Sequence, residues 1–151
     1  MKHPAIRELF QTLTRNAAFQ DLVGQILRRE THRLSLSGLT TTAKAAYLVL
    51  LWQATERPLV VVVDGNKQAD LLMELVQTFF DLLIDRPDRP EPQIIPAYDI
   101  LPHQRLSPHS EIVEQRAIGL WRLATQKVPL TIAPIGSALL RTDTPEFYRQ
   151  L

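Results

Sequence analysis

One stretch of the chain has the residue types and spacing of a phosphate-binding loop: Gly38-Leu39-Thr40-Thr41-Thr42-Ala43-Lys44-Ala45. In a working loop of the form G-x-x-x-x-G-K-[ST], the glycines let backbone N–H groups wrap the phosphates. The Lys reaches the terminal phosphates and the final hydroxyl binds Mg²⁺. Here Gly38 and Lys44 are in register. Ala43 replaces the second glycine, which disfavours a backbone of positive φ or a close phosphate approach. Ala45 removes the Mg²⁺ hydroxyl. Lys44 therefore reads either as a surviving phosphate ligand or as a relic that reaches solvent or pairs with a carboxylate, and the two lost residues favour the relic. Thr40, Thr41 and Thr42 have a plain structural use as caps of the following helix.

Other chemistry is thinner. The four His (His3, His32, His103, His109) show no metal-ligand spacing, so no metal site is expected. Asp64-Gly65 follows a predicted strand, where ligands often sit, but a turn explains it equally. Asp99 and Glu111 would make an acid/base pair only if the fold brought them together. Ser37-Gly38 and Gly136-Ser137 lack the G-x-S-x-G frame of a serine nucleophile, and Ile132 is followed by Ala133-Pro134, which offer no carboxylate to Mg²⁺. No catalytic residue is expected, and no cofactor for the segment itself. The absence of Cys removes disulfides and thiolate chemistry and points to a reducing cytosol.

The composition of 151 residues, 45% hydrophobic and 22% charged, is that of a folded domain. A net charge of +1 excludes a polycation that holds nucleic acid by bulk electrostatics. Charge is uneven, however. Residues 1–33 carry six basic residues (Lys2, Arg7, Arg15, Arg28, Arg29, Arg33) against three acidic, giving +3, and residues 34–151 carry eleven against thirteen, giving −2. Those cations could meet phosphate, or Arg28 and Arg29 could simply complement a helix C-terminus. No apolar run reaches the roughly 18 residues that span a bilayer. The N-terminus lacks a signal-peptide pattern, so the expected location is cytoplasmic, with no membrane partner.

These residues need elements to position them. Pro4 with Ile6, Leu9, Phe10 and Leu13 predicts one helix, and Asn16 caps a second built on Phe19, Leu22, Val23, Ile26 and Leu27. Residues 32–37 alternate like a short strand, and 43–55 read as a helix apolar nearly all round. Leu59–Val63 holds four consecutive Val, which predicts a central strand covered on both faces. A long amphipathic helix is expected at 67–84, a Pro-held loop at 85–92 and a short strand at 93–95. Ser110 should precede a helix over 111–126, with Glu114 in reach of its cap. A strand at 130–133 and helical turns near 137–141 and 145–150 complete the chain. The alternation predicts an α/β fold with an open, mostly parallel sheet and helices on both faces. Residues 1–33 form a helical leader packed on a main body over 34–151. Leu48, Leu51, Trp52, Val61 and Val63 are the expected core.

Three segments, in order, resemble one family. Ser37–Ala45 is similar to the decayed phosphate loop of the bacterial transcription-repair coupling factors. Pro96-Ala97-Tyr98-Asp99-Ile100-Leu101-Pro102-His103-Gln104-Arg105-Leu106-Ser107-Pro108, then Glu111-Ile112-Val113 and Gln115-Arg116, resembles their P-A-W-[ED]-x-L-P-Y-[ED]-x-[FL]-S-P…E-I-x-x-x-R segment. Tyr98 stands where Trp is usual and His103 where Tyr is usual. Leu130–Arg141 resembles their V-V-T-P-V-x-A-L-L-Q-R strand and turn. The resemblance implies a RecA-like (P-loop NTPase-like) lobe, similar to the first domain of the repair protein UvrB, that has lost ATPase competence. It implies a first segment of a UvrB-like module, ending before an inserted domain that grips UvrA. ATP and magnesium would serve separate motor lobes of the parent protein, an ATP-dependent DNA translocase of the helicase superfamily. Duplex DNA and stalled RNA polymerase would be partners of other domains. Two alternatives stand beside this: an NTP-binding domain with residual nucleotide affinity, and a small DNA-binding module using the basic leader.

Overall fold

The computed structural model describes residues 4–28, 33–85, 90–100, 107–125 and 128–150. His3, His32, His103 and Arg29, and the Leu101–Leu106 part of the second family-like segment, lie outside them. The described chain divides into two compact units, one within residues 1–57 and 74–89, the other within 58–73 and 90–151.

The first unit is helical. Helix α1 (Pro4–Thr14) starts on a proline, whose missing N–H costs nothing in a first turn. Helix α2 (Ala17–Arg28) is capped as expected, the Ala18 amide donating to Asn16 Oδ1 at 2.9 Å. Arg57 closes its other end by donating to the Ile26 and Leu27 carbonyls at 2.9 and 3.4 Å, and Arg28 sits in the last turn, as a cation should. Helix α3 (Thr41–Thr55) ends at Glu56 with φ 51°, and the Glu56 amide returns to the Trp52 carbonyl. Helix α4 (Asn66–Leu83) brings its C-terminal half to this unit. Aromatic edges fasten the helices: Phe10 on Phe79 at 5.3 Å, Phe19 on Tyr47 at 5.6 Å, Trp52 on Phe80 at 5.2 Å. Phe19 and Phe80 are almost wholly buried, each contributing roughly 1.5–3 kcal/mol through burial alone.

The second unit is built on a sheet. Strands β1 (Leu59–Val63), β2 (Gln93–Ile94) and β3 (Leu130–Pro134) lie in the order β1-β3-β2. Both pairings are parallel, with Val61 opposite Ile132 and Ile94 also opposite Ile132. Helices α5 (Ser110–Ala124), α6 (Ile135–Ala138) and α7 (Pro145–Arg149) belong to the same unit. The parallel α/β sheet expected from the alternation is present, but it is small.

Four expectations are corrected. The central strand is β3, buried at all five positions, whereas β1 is an edge strand with Val60 57% and Val62 51% exposed. A run of β-branched residues reads alike at a sheet centre and at an edge, because the run does not record how many neighbours flank it. Residues 33–37 are in no strand, and Leu34 and Leu36 are exposed. Alternation there had no sheet to join. Ser110 begins α5 rather than preceding it. His109 is the cap residue and makes no side-chain cap bond. Of the expected core only Leu51 is buried. Leu48, Trp52, Val61 and Val63 are half-buried, and Leu50, Leu130 and Ile132 are deeper. No helix among the described residues is long and apolar enough to cross a membrane.

Candidate functional site

The Gly38–Ala45 loop belongs to the helical unit. Gly38 has φ +76°, and no atom lies within 4 Å of where a Cβ would stand. The backbone turn, rather than crowding, is what demands glycine there. Thr40 takes an extended conformation, its hydroxyl accepts from the Ala43 amide at 3.3 Å and its carbonyl accepts from the Lys44 amide at 2.8 Å. Thr40 is thus the N-cap of α3, and Thr41, Thr42, Ala43 and Lys44 form its first turn. Thr41, Thr42 and Lys44 are exposed, and Ala45 is fully buried. No strand among the described residues leads into the loop.

The remaining sequence candidates have structural partners. The Asp64 amide donates to Gln68 Oε1 at 3.2 Å. Asp99 Oδ1 accepts from the His109 amide at 3.4 Å, and Glu111 Oε1 accepts from Gln115 at 3.3 Å. Asp99 and Glu111 each serve the start of α5. No group of three or more His, Asp or Glu that could hold a metal occurs among the described residues. The Glu146 carboxyl is held below the usual carboxylate range by its own backbone N–H and the Thr144 hydroxyl, aided by Arg149 at 3.3 Å. That is the local chemistry of a short helix start.

What the structure does assemble is a polar cluster at the carboxyl ends of the three strands. Just past β1, the Asn66 side chain donates to the Ala97 carbonyl at 3.3 Å and accepts from the Ala97 amide at 3.0 Å. Ala97 itself lies just past β2. Arg116, on α5, reaches across the same region: its Nη1 donates to the Pro96 carbonyl at 2.6 Å and to Ser137 Oγ at 2.5 Å, just past β3. Its guanidinium lies over the Tyr98 ring, 4.8 Å from the centroid. Arg116 is only 4% exposed and Ser137 6%. Arg116 thereby joins the two longer family-like segments, Pro96–Arg116 and Leu130–Arg141, in one place.

Two further residues hold α5 down on the sheet. Gly119 lies so close to β2 that a Cβ would meet Ile95 Cγ1 at 2.8 Å. Buried Gln93 donates to the Gly119 carbonyl at 2.9 Å and to Thr131 Oγ1 at 3.2 Å. The signal for Arg116 was available in the sequence. Ile112, Arg116, Gly119 and Leu123 follow one another at helical spacing on the stripe that α5 turns inward, and an Arg on such a stripe calls for a purpose.

Curated proteins of two organisms match the chain. They come from Mycobacterium bovis and Mycobacterium tuberculosis and are each described as a transcription-repair-coupling factor. Each is 31% identical over 129 residues, an alignment that takes in 81% of this chain. Its relatives are transcription-repair-coupling factors. The resemblance carried by the three sequence segments is borne out by those relatives, and the chain spans about a tenth of their length. No protein-family model matches the chain, and no solved structure does.

Proposed function

We propose that the chain is a non-catalytic scaffold and interaction segment of a transcription-repair coupling factor. Residues 34–151 would be the first part of a degenerate RecA-like, UvrB-like lobe, with 1–33 as its helical leader. The parent protein would use ATP and magnesium in separate motor lobes to translocate on duplex DNA and displace stalled RNA polymerase. It would recruit the excision machinery through UvrA, by way of a domain adjoining this segment. The observation that carries the reading is the 31% identity to coupling factors over 81% of the chain.

Two structural features support the non-catalytic part. Ala43 is helical in α3, so the backbone at the second glycine position follows helix geometry rather than a phosphate cradle. Ala45, fully buried, offers no hydroxyl to Mg²⁺. Calorimetric titration of the chain with Mg·ATP tests this directly. No saturable heat is expected up to millimolar nucleotide. Micromolar binding that disappears in Lys44→Ala would overturn the reading in favour of a nucleotide-binding domain.

A further inference from the structure

We infer that Arg116 and Ser137 form a binding site for a small oxyanion, a phosphate or carboxylate group, at the carboxyl ends of β2 and β3. The first ground is an uncompensated charge. Arg116 is 4% exposed, yet its partners are a carbonyl, a hydroxyl and an aromatic ring. No carboxylate pairs with it among the described residues. Buried cations are normally matched by an anion, because a desolvated charge left alone is costly. The Tyr98 face offsets part of that cost, as a ring quadrupole does for a cation, but it accepts no hydrogen bond from the guanidinium edge.

The second ground is unused donors. Arg carries five N–H groups in a planar fork suited to two oxygens of one oxyanion. Both recorded bonds leave from Nη1. The Nη2 and Nε donors remain for a ligand, and Ser137 Oγ, which accepts from Arg116, still has its own O–H to donate.

The third ground is access. Arg116 and Ser137 both line an open cleft of about 230 Å³ within the sheet unit, with Val60, Ile95, Thr131 and Thr142 among its other walls. The walls are mostly apolar, with one cation and a few hydroxyls, the usual make-up of a small-ligand site. The cleft runs along one face of the sheet, from Val60 and Thr131 to Ser137 just past the carboxyl end of β3. The apolar walls lower the local dielectric and strengthen an Arg–oxyanion contact relative to one in water.

The test is a titration of the whole 151-residue chain with sodium phosphate, read by NMR at the Arg116 Nε–H resonance. Sodium acetate and sodium chloride at matched ionic strength form the other arms. A saturable shift at Arg116 with phosphate, acetate or both, and none with chloride, is expected. Phosphate alone assigns a phosphate site, acetate alone a carboxylate site, and both a general oxyanion site. No shift in either arm up to tens of millimolar, or the same shift with chloride, overturns the inference. Ser137→Ala keeps the Arg116–Pro96 bond and so preserves the fold, and it should weaken the anion about threefold to tenfold through loss of one neutral donor. An unchanged affinity in that variant removes Ser137 from the site and overturns the assignment as stated.

Discussion

The Gly38–Ala45 loop and the Arg116 cluster are opposites. The loop carries a motif that can be named from spacing, and the structure gives its threonines and its lysine a solvated first helical turn. Arg116 belongs to no catalytic motif, and the structure buries it and spends its bonds on two separate chain segments. Spacing records what a stretch is shaped like. Burial and convergence record what the present fold depends on. In this chain the two have come apart.

The contrast can be broken by substitution. The largest effect should come from Arg116→Ala, which strands the Pro96 carbonyl and the Ser137 hydroxyl and removes the packed stem. Relief of a buried charge opposes this, and the net loss should be about 2–3 kcal/mol in urea unfolding. A neutral outcome would make Arg116 a bystander. Next comes Gly119→Ala. Helix propensity favours it by about 1 kcal/mol, but a Cβ at 2.8 Å from Ile95 Cγ1 forces overpacking that costs about 1–3 kcal/mol. A net loss of about 1 kcal/mol, seen as a lower Tm, is expected.

The loop should respond less. Thr40→Ala removes an N-cap whose bond is long, 3.3 Å, and should cost about 0.5–1 kcal/mol, measurable as reduced helicity and stability. Lys44→Ala should fall within about 0.5 kcal/mol of wild type, as for exposed side chains without partners in a network. A Lys44→Ala loss as large as that of Arg116→Ala would invert the comparison.

Much of the architecture was legible beforehand because it rests on periodicity. The stripes of α1 and α2, the apolar α3, the long α4 and the strand segments of β1 and β3 all follow from local pattern. Asn16 as a cap was legible for the same reason, since its hydrogen bond is to a neighbour. Position within the sheet was not. Val60 and Val62 look like core residues until β3 is seen to flank β1 on one side with no described strand on the other. Leu34 and Leu36 alternate like strand residues but pair with nothing described. The loop residues Gly38, Thr41, Thr42, Ala43, Lys44 and Ala45 could be lined up with a motif. Arg116, Pro96, Tyr98 and Ser137 could not be assembled, because the contacts of Arg116 reach 20 positions back to Pro96 and 21 forward to Ser137 and depend on how α5 crosses the strand ends. They entered the reading only as parts of family-like segments.

The central claim is that Arg116 couples the segment after β2 to the segment after β3. A double-mutant cycle on Arg116→Ala and Ser137→Ala, read by urea denaturation, measures that coupling directly. The account predicts a coupling energy of about 1–2 kcal/mol, as for a charged hydrogen bond in a buried setting. Additivity of the two substitutions within about 0.5 kcal/mol would contradict it.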